Sequence, residues 1–137
     1  MRDVAEEDVF RASLPAAVRL LSMQCARHLP AGTLGNAEAA EALAAMIEDG
    51  CGDDLRGHLI HFAIRVGARR LADAATCLAR IGRGGAARIA SEQAQLVGSL
   101  QYPLTVERDE EAVATLRRLG PTYARLLAAL QDAGRER

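Results

Sequence analysis

The sequence predicts an all-α fold, a compact single-domain bundle of about five to seven helices around one long central helix. Apolar residues recur at the three- and four-residue spacing of helices along most of the chain. No stretch alternates apolar and polar residues as a half-buried strand would. The length of 137 residues suits one domain with one core. With only two Phe and two Tyr, we expect that core to consist of Leu, Ile, Val, Met and Ala.

The acidic N-terminal part, residues 1–52, is predicted to contain three helices. A short acidic helix over about 3–11 comes first, and Ser13 can then cap a second helix that ends near His28. That second helix carries one apolar stripe, made of Leu14, Ala17, Val18, Leu21 and Cys25. After a loop, Asn36 can cap the third helix, which ends at Gly50.

The central helix is predicted over about 54–81, and Asp53 or Asp54 can cap its start. One apolar stripe keeps its register across Gly67, and it consists of Ile60, Ile64, Ala68, Leu71, Ala75 and Leu78. Because a break at Gly67 would lose this register, we expect one continuous helix. A second stripe occupies only the first half, which should therefore lie between neighbouring helices: Leu55, Leu59, Phe62 and Val66.

Three further helices are predicted over about 86–101, 106–119 and 121–133. Pro103 ends the first of them, Thr105 can cap the second, and Gly120-Pro121 predicts a tight corner into the third. The last helix has a strong apolar stripe that is either part of the core or the seam of a homodimer: Tyr123, Leu126, Leu127 and Leu130.

The charge of the chain is close to balanced overall but unevenly distributed. Residues 1–55 hold four Arg and ten acids, residues 56–88 hold seven Arg and one acid, and residues 89–137 hold six Arg and seven acids. This asymmetry predicts either internal docking of the acidic part on the basic middle or pairing between subunits. All 17 basic side chains are Arg, which indicates a GC-rich, bacterial genome. With a pI near 6.3, general nucleic-acid binding is not expected.

The candidate site is a polar strip on the central helix, formed by His58, His61, Arg65 and Arg69. On a regular helical wheel these residues and Asp54 fall within about 80° of one another, between the two apolar stripes. A strip flanked in this way should be partly shielded from water and should need partners for its charges.

Three interpretations of this strip are open. It could pair internally with the acidic N-terminal helix or with acids of the third helix, namely Glu38, Glu41 and Glu48. It could bind an anionic partner, such as a phosphoryl group, a carboxylate or an acidic protein surface. A metal held by Asp54, His58 and His61 is disfavoured, because the cationic Arg65 lies one turn from His61.

Two short resemblances suggest catalytic alternatives. The segments 54–61 and 67–75 resemble the central helices of histidine phosphotransfer domains, which are four-helix bundles. That resemblance implies phosphorylation at His61, although Ile64 and Arg65 stand where that family typically has lysine and glycine. The pair Arg56 and His61 is similar to the Arg-x4-His signature of HEPN-type ribonucleases, with Gly57 where a polar residue commonly follows the arginine.

The expected function is that of a small non-catalytic regulatory or adaptor protein, which binds another protein with an acidic surface and can form a homodimer. Phosphotransfer through His61 and a ribonuclease activity of Arg56 and His61 are the alternatives. No catalytic residue, metal or cofactor is assigned. The acidic N-terminus does not resemble a signal peptide, and no apolar run approaches the ~20 residues of a membrane span, so a cytoplasmic location is expected.

Overall fold

The computed structural model describes residues 36–135, with side chains to residue 132, and in the N-terminal part Ala12 and Pro15. These residues form helices and turns and no strand, which confirms the all-α prediction. The helices are α1 (Asn36–Glu48), α2 (Asp53–His58), α3 (Ile64–Arg80), α4 (Gly84–Gly98), α5 (Gln101–Thr105) and α6 (Asp109–Arg135). A π-helical turn at Leu59–Ala63 joins α2 to α3, so that residues 53–80 form one continuous central helix.

The two helices predicted over about 3–11 and 13–28 lie outside the described residues, apart from Ala12 and Pro15, which are helical and exposed. The described part contains four principal helices: α1, the central helix, α4 and α6. The total of five to seven helices therefore stays a prediction. No helix in the described ranges is both long enough and apolar enough to cross a membrane.

The central helix passes through Gly67 without a break, over nearly the range that its apolar stripe predicts. Gly67 lies where α4 approaches closely, because a Cβ added there would be 3.5 Å from the Val97 Cγ1 atom. A Cβ at Gly98 would likewise be 3.9 Å from the Cβ of Ala68. Small residues on both helices thus let α3 and α4 pack along each other.

The corner predicted at Gly120-Pro121 is wrong, because α6 continues through both residues. Pro121 removes one backbone donor, but it lies on the exposed side of the helix. Buried residues keep helical spacing across it, among them Leu116, Leu119, Thr122, Leu126 and Leu130. Gly120 is buried where α6 meets α1, and a Cβ there would lie 3.9 Å from the Ala37 carbonyl oxygen. Packing against α1 and α4 therefore outweighs the local turn signal.

The start of α6 also differs from the prediction, since it begins at Asp109 and not at residue 106. The preceding residues form the short helix α5, and Thr105 ends this helix where it was expected to cap the next one. The Thr105 hydroxyl donates a hydrogen bond to the Gln101 carbonyl at 2.7 Å. Glu107 then turns the chain with a φ of 59°, which sets the later start of α6.

The main core lies between α1, the π-helical turn with the start of α3, α4 with α5, and α6. Its buried members are apolar and come from all of these elements: Ala40, Ala44, Ile47, Leu59, Ile64, Leu96, Leu100, Leu104, Ala112, Val113, Leu116 and Leu119. A smaller cluster joins α4 to the C-terminal half of α6 through Ala86, Leu126 and Leu130. Of the stripe that was either core or dimer seam, Leu126 and Leu130 are thus buried within the protomer, and Tyr123 packs on the main core.

Candidate functional site

The candidate site spans the π-helical turn of the central helix. The Ile64 N–H donates to the Leu59 carbonyl, five residues back, as a π-helix requires. The Ile60 carbonyl accepts a hydrogen bond from Gln101 Nε2 at 2.9 Å, so that the turn is tied to α5. Single π-helical turns inside α-helices occur frequently at functional sites. This turn contains His61 and Phe62.

The wider turn changes which side chains share a face. A π-helical turn holds one residue more than an α-helical turn, so the side chains beyond it are set back by roughly 100° relative to those before it. His61, Arg65 and Arg69 stay together under this displacement, whereas His58 moves towards one flank. The His58 ring instead contacts the Phe62 ring, with 5.4 Å between the ring centroids. The π-helical turn therefore places His58 at the edge of the group that a regular wheel predicts, and the four-residue strip stays a prediction.

All four side chains of the strip are exposed, so the expected shielding from water is wrong. That expectation relied on the second apolar stripe being covered by neighbouring helices. Leu59 of that stripe is buried, but Phe62 is 57% exposed. The strip is therefore an open surface with an exposed aromatic ring beside it.

Within residues 36–132, the strip takes part in one recorded ion pair, between Arg69 Nε and Asp73 Oδ1 at 3.3 Å. Both side chains are well exposed, at 80% and 66%, so this contact contributes little to stability. Arg69 can therefore exchange Asp73 for another carboxylate at little expense in free energy.

Two of the three acids of α1 that were candidates for internal pairing with the strip, Glu41 and Glu48, face α6 instead. Glu48 receives two hydrogen bonds from Arg117, at 2.6 and 2.9 Å, and Glu41 lies 3.9 Å from the same guanidinium. The hydrogen bonds from Arg117 hold the pKa of the Glu48 carboxyl below its ordinary value. Glu38 is exposed. Pairing of the strip with the acidic N-terminal helix falls outside the described residues.

Arg56, the arginine of the ribonuclease alternative, is engaged at the end of the bundle. Its Nη1 and Nη2 atoms donate to the two carboxylate oxygens of Asp109 at 2.9 and 3.0 Å, and Nη1 also donates to the Leu104 carbonyl at 3.0 Å. The two hydrogen bonds from Arg56 to Asp109 lower the pKa of the Asp109 carboxyl. The partners are 53 positions apart, and the acidic start of the α6 region was the only signal for them in the sequence. That signal fits the helix dipole equally well.

The disfavoured metal interpretation gains no support from the geometry. Across the described part of the chain, no three His, Cys, Asp or Glu side chains are grouped closely enough to hold a metal ion. Asp54, His58 and His61 are all exposed.

Comparison with known protein families finds a match over most of this chain. The family profile described as the YobF C-terminal domain matches residues 30–131, which is more than half of the chain. No curated protein and no solved structure shows significant similarity to this chain.

Proposed function

Because this chain belongs to the YobF C-terminal domain family, whose description names a domain and no activity, we propose a function from its surface. The protein is a small non-catalytic regulatory or adaptor protein. It binds an acidic surface of another protein through the strip formed by His58, His61, Arg65 and Arg69.

The observation that carries this proposal is the exposure of the strip. Arg65 and Arg69 are exposed, and the ion pair between Arg69 and Asp73 is a weak one at the surface. The planar guanidinium of arginine binds carboxylates through two parallel hydrogen bonds, which suits an acidic partner. Phe62 adds an exposed aromatic ring beside these charges, and aromatic residues together with arginine are enriched in protein interfaces.

The first experiment is affinity purification from the source lysate followed by native mass spectrometry. A second protein recovered in a fixed ratio would supply the partner for binding measurements. The double substitution Arg65→Glu with Arg69→Glu should then weaken binding at least tenfold, about 1.4 kcal/mol, because it reverses two charges in the interface. Circular dichroism should show an unchanged fold, since both side chains are exposed.

The matched control is Arg88→Glu with Arg118→Glu, which makes the same charge change at exposed positions of α4 and α6. This control should retain most of the affinity. Equal losses in the two double variants would indicate attraction by overall charge only. An unchanged affinity in the Arg65 and Arg69 variant would remove the strip as the binding site.

Phosphotransfer through His61 is the second candidate, and it is favoured by the exposure of His61 on the π-helical turn. Incubation with a small phosphoryl donor such as phosphoramidate should then give an acid-labile phosphohistidine that His61→Gln abolishes. In the adaptor proposal, no phosphohistidine forms on His61, and His61→Gln weakens binding to the partner less than the double charge reversal at Arg65 and Arg69 does. The ribonuclease alternative has less support, because the Arg56 guanidinium is engaged by Asp109 and Leu104.

The remaining expectations form part of the same proposal. They are a bacterial source, a cytoplasmic location, a homodimer as the assembled form, and a full bundle of five to seven helices. No nucleic acid, membrane or cofactor is expected to take part.

A further inference from the structure

An apolar groove runs between α1, the start of α3, the end of α4 and α6. Its volume is about 370 Å³. It is lined chiefly by aliphatic side chains, among them Leu43, Leu59, Ile64, Val97 and Leu116, with Tyr123 at one side. Leu43, Val97 and Tyr123 are only partly buried, so this part of the core is not closed over by the described residues.

The helix α1 begins at the edge of this groove. Asn36, the first residue of α1, is itself one of the groove residues. The segment 29–35 directly precedes it and can span at most about 25 Å when fully extended. A segment that ends at residue 28 is therefore joined to Asn36 by a linker short enough for that segment to dock in the groove.

The sequence before position 29 predicts a helix with one apolar face. Leu14, Ala17, Val18, Leu21 and Cys25 form one apolar stripe, and Arg19 is the only charged residue between positions 12 and 26. Ala12 and Pro15 are helical and exposed. On a helical wheel, these two residues lie roughly 100–160° away from the stripe, as expected if the stripe faces the protein.

The predicted helix is long enough to cover the groove. A helix from Leu14 to Cys25 is about 16 Å long at 1.5 Å per residue. The groove follows α6 from Leu116 to Tyr123, about 10 Å along the helix axis on the same basis. We propose that the segment 13–28 docks in this groove as a helix, with its apolar stripe against Leu43, Leu59 and Tyr123.

The test uses the full chain with two charges placed on the stripe, Leu14→Asp with Leu21→Asp. The matched control is Ala16→Asp with Met23→Asp, which adds the same charge on the opposite side of the same helix. The stripe variant should exchange its amide hydrogens at residues 59–64 and 116–123 at least tenfold faster than the control. Equal exchange in the two variants would overturn the proposal.

A second measurement leaves the groove side chains in place and changes the stripe only at Cys25. A nitroxide label at Ser22→Cys, with the three native cysteines replaced by Ala, should broaden the methyl resonances of Leu43 and Leu119. Broadening within a single molecule supports the proposal. Broadening only between labelled and unlabelled molecules would assign the groove to a second copy, and no broadening would leave it without this helix; either result refutes the proposal.

Discussion

Replacing Arg56 with Met tests the ionic contact that joins the start of the central helix to the start of α6. In the native structure the guanidinium donates two hydrogen bonds to the Asp109 carboxylate and one to the Leu104 carbonyl. The Arg56 side chain is 12% exposed and that of Asp109 is 35% exposed. Methionine keeps the apolar stem of the side chain and removes the three hydrogen bonds.

The expected loss follows from these contacts. A hydrogen bond to a charged group contributes about 1.5–3 kcal/mol, but the three bonds share one guanidinium and are not additive. Asp109 regains water when the pair is broken, because a third of its side chain is exposed, and this reduces the loss. We therefore expect the free energy of unfolding to fall by about 2 kcal/mol, which lowers the melting temperature by roughly 6–8 °C in a chain of this length.

Urea unfolding at pH 7 and at pH 2.5 measures this contribution and its pH dependence. Since Arg56 lowers the pKa of Asp109, the contact stabilises the folded state above the ordinary value of 3.8. The contribution is lost as the pH falls through the lowered pKa of the folded state, so the gap between native and variant proteins should narrow at pH 2.5.

The control for this prediction is Arg69→Met, which breaks an ion pair on the same helix that is much more exposed. It should change the free energy of unfolding by less than about 0.5 kcal/mol. The reasoning fails if Arg56→Met is no more destabilising than this control at pH 7, or if its effect is the same at both pH values.

Three further predictions concern α6. Thr122→Val should lower the free energy of unfolding by about 1–3 kcal/mol in chemical denaturation, because it leaves the buried Gln93 amide without its acceptor. Adding Gln93→Leu should recover most of this loss. No recovery would mean that packing at Thr122 dominates its contribution. Burial raises the pKa of Tyr123, so the ultraviolet titration of this residue should have a midpoint above 10.0 in the folded protein. The stability that Tyr123 contributes should be full below pH 10 and should be lost as the pH rises through the raised pKa. A single tyrosine transition at pH 10 would contradict this prediction. Pro121→Ala should raise the free energy of unfolding by about 1–3 kcal/mol in thermal unfolding, since the new N–H can donate to the Arg117 carbonyl, whereas no gain would show a backbone already adapted to proline.

The fold was predictable where apolar residues repeat over several turns. The stripe across Gly67 predicted an unbroken helix, because a buried stripe depends on register and tolerates one glycine. Local signals failed where packing between distant helices decided the outcome. Gly120-Pro121 reads as a turn in isolation, and only the contacts of α6 with α1 and α4 keep the helix intact.

The residue types of the candidate site could be read from the sequence, but the spatial arrangement of these residues could be read only in part. The concentration of arginine and histidine in one helix is visible in the sequence, and these side chains are on the surface of the bundle. The π-helical turn has no recognised sequence signature, so the position of His58 relative to Arg65 could not be read from a wheel. The pairing of Arg56 with Asp109 joins residues far apart in the chain, and no local spacing encodes such a contact.

The π-helical turn at Leu59–Ala63 can be regarded as a single inserted residue that the helix has absorbed without breaking. A relative without that residue would align with a one-residue gap between positions 59 and 63. In such a relative, the residues before and after the gap would keep the relative orientation that they have here, because one residue fewer at about 100° per residue compensates for the loss of the wider turn, and His58 would stay at the flank of the face of Arg65 and Arg69. A gap at this point would therefore preserve the arrangement of this surface, whereas a one-residue gap in the regular part of the central helix would rotate the two flanking segments by about 100°.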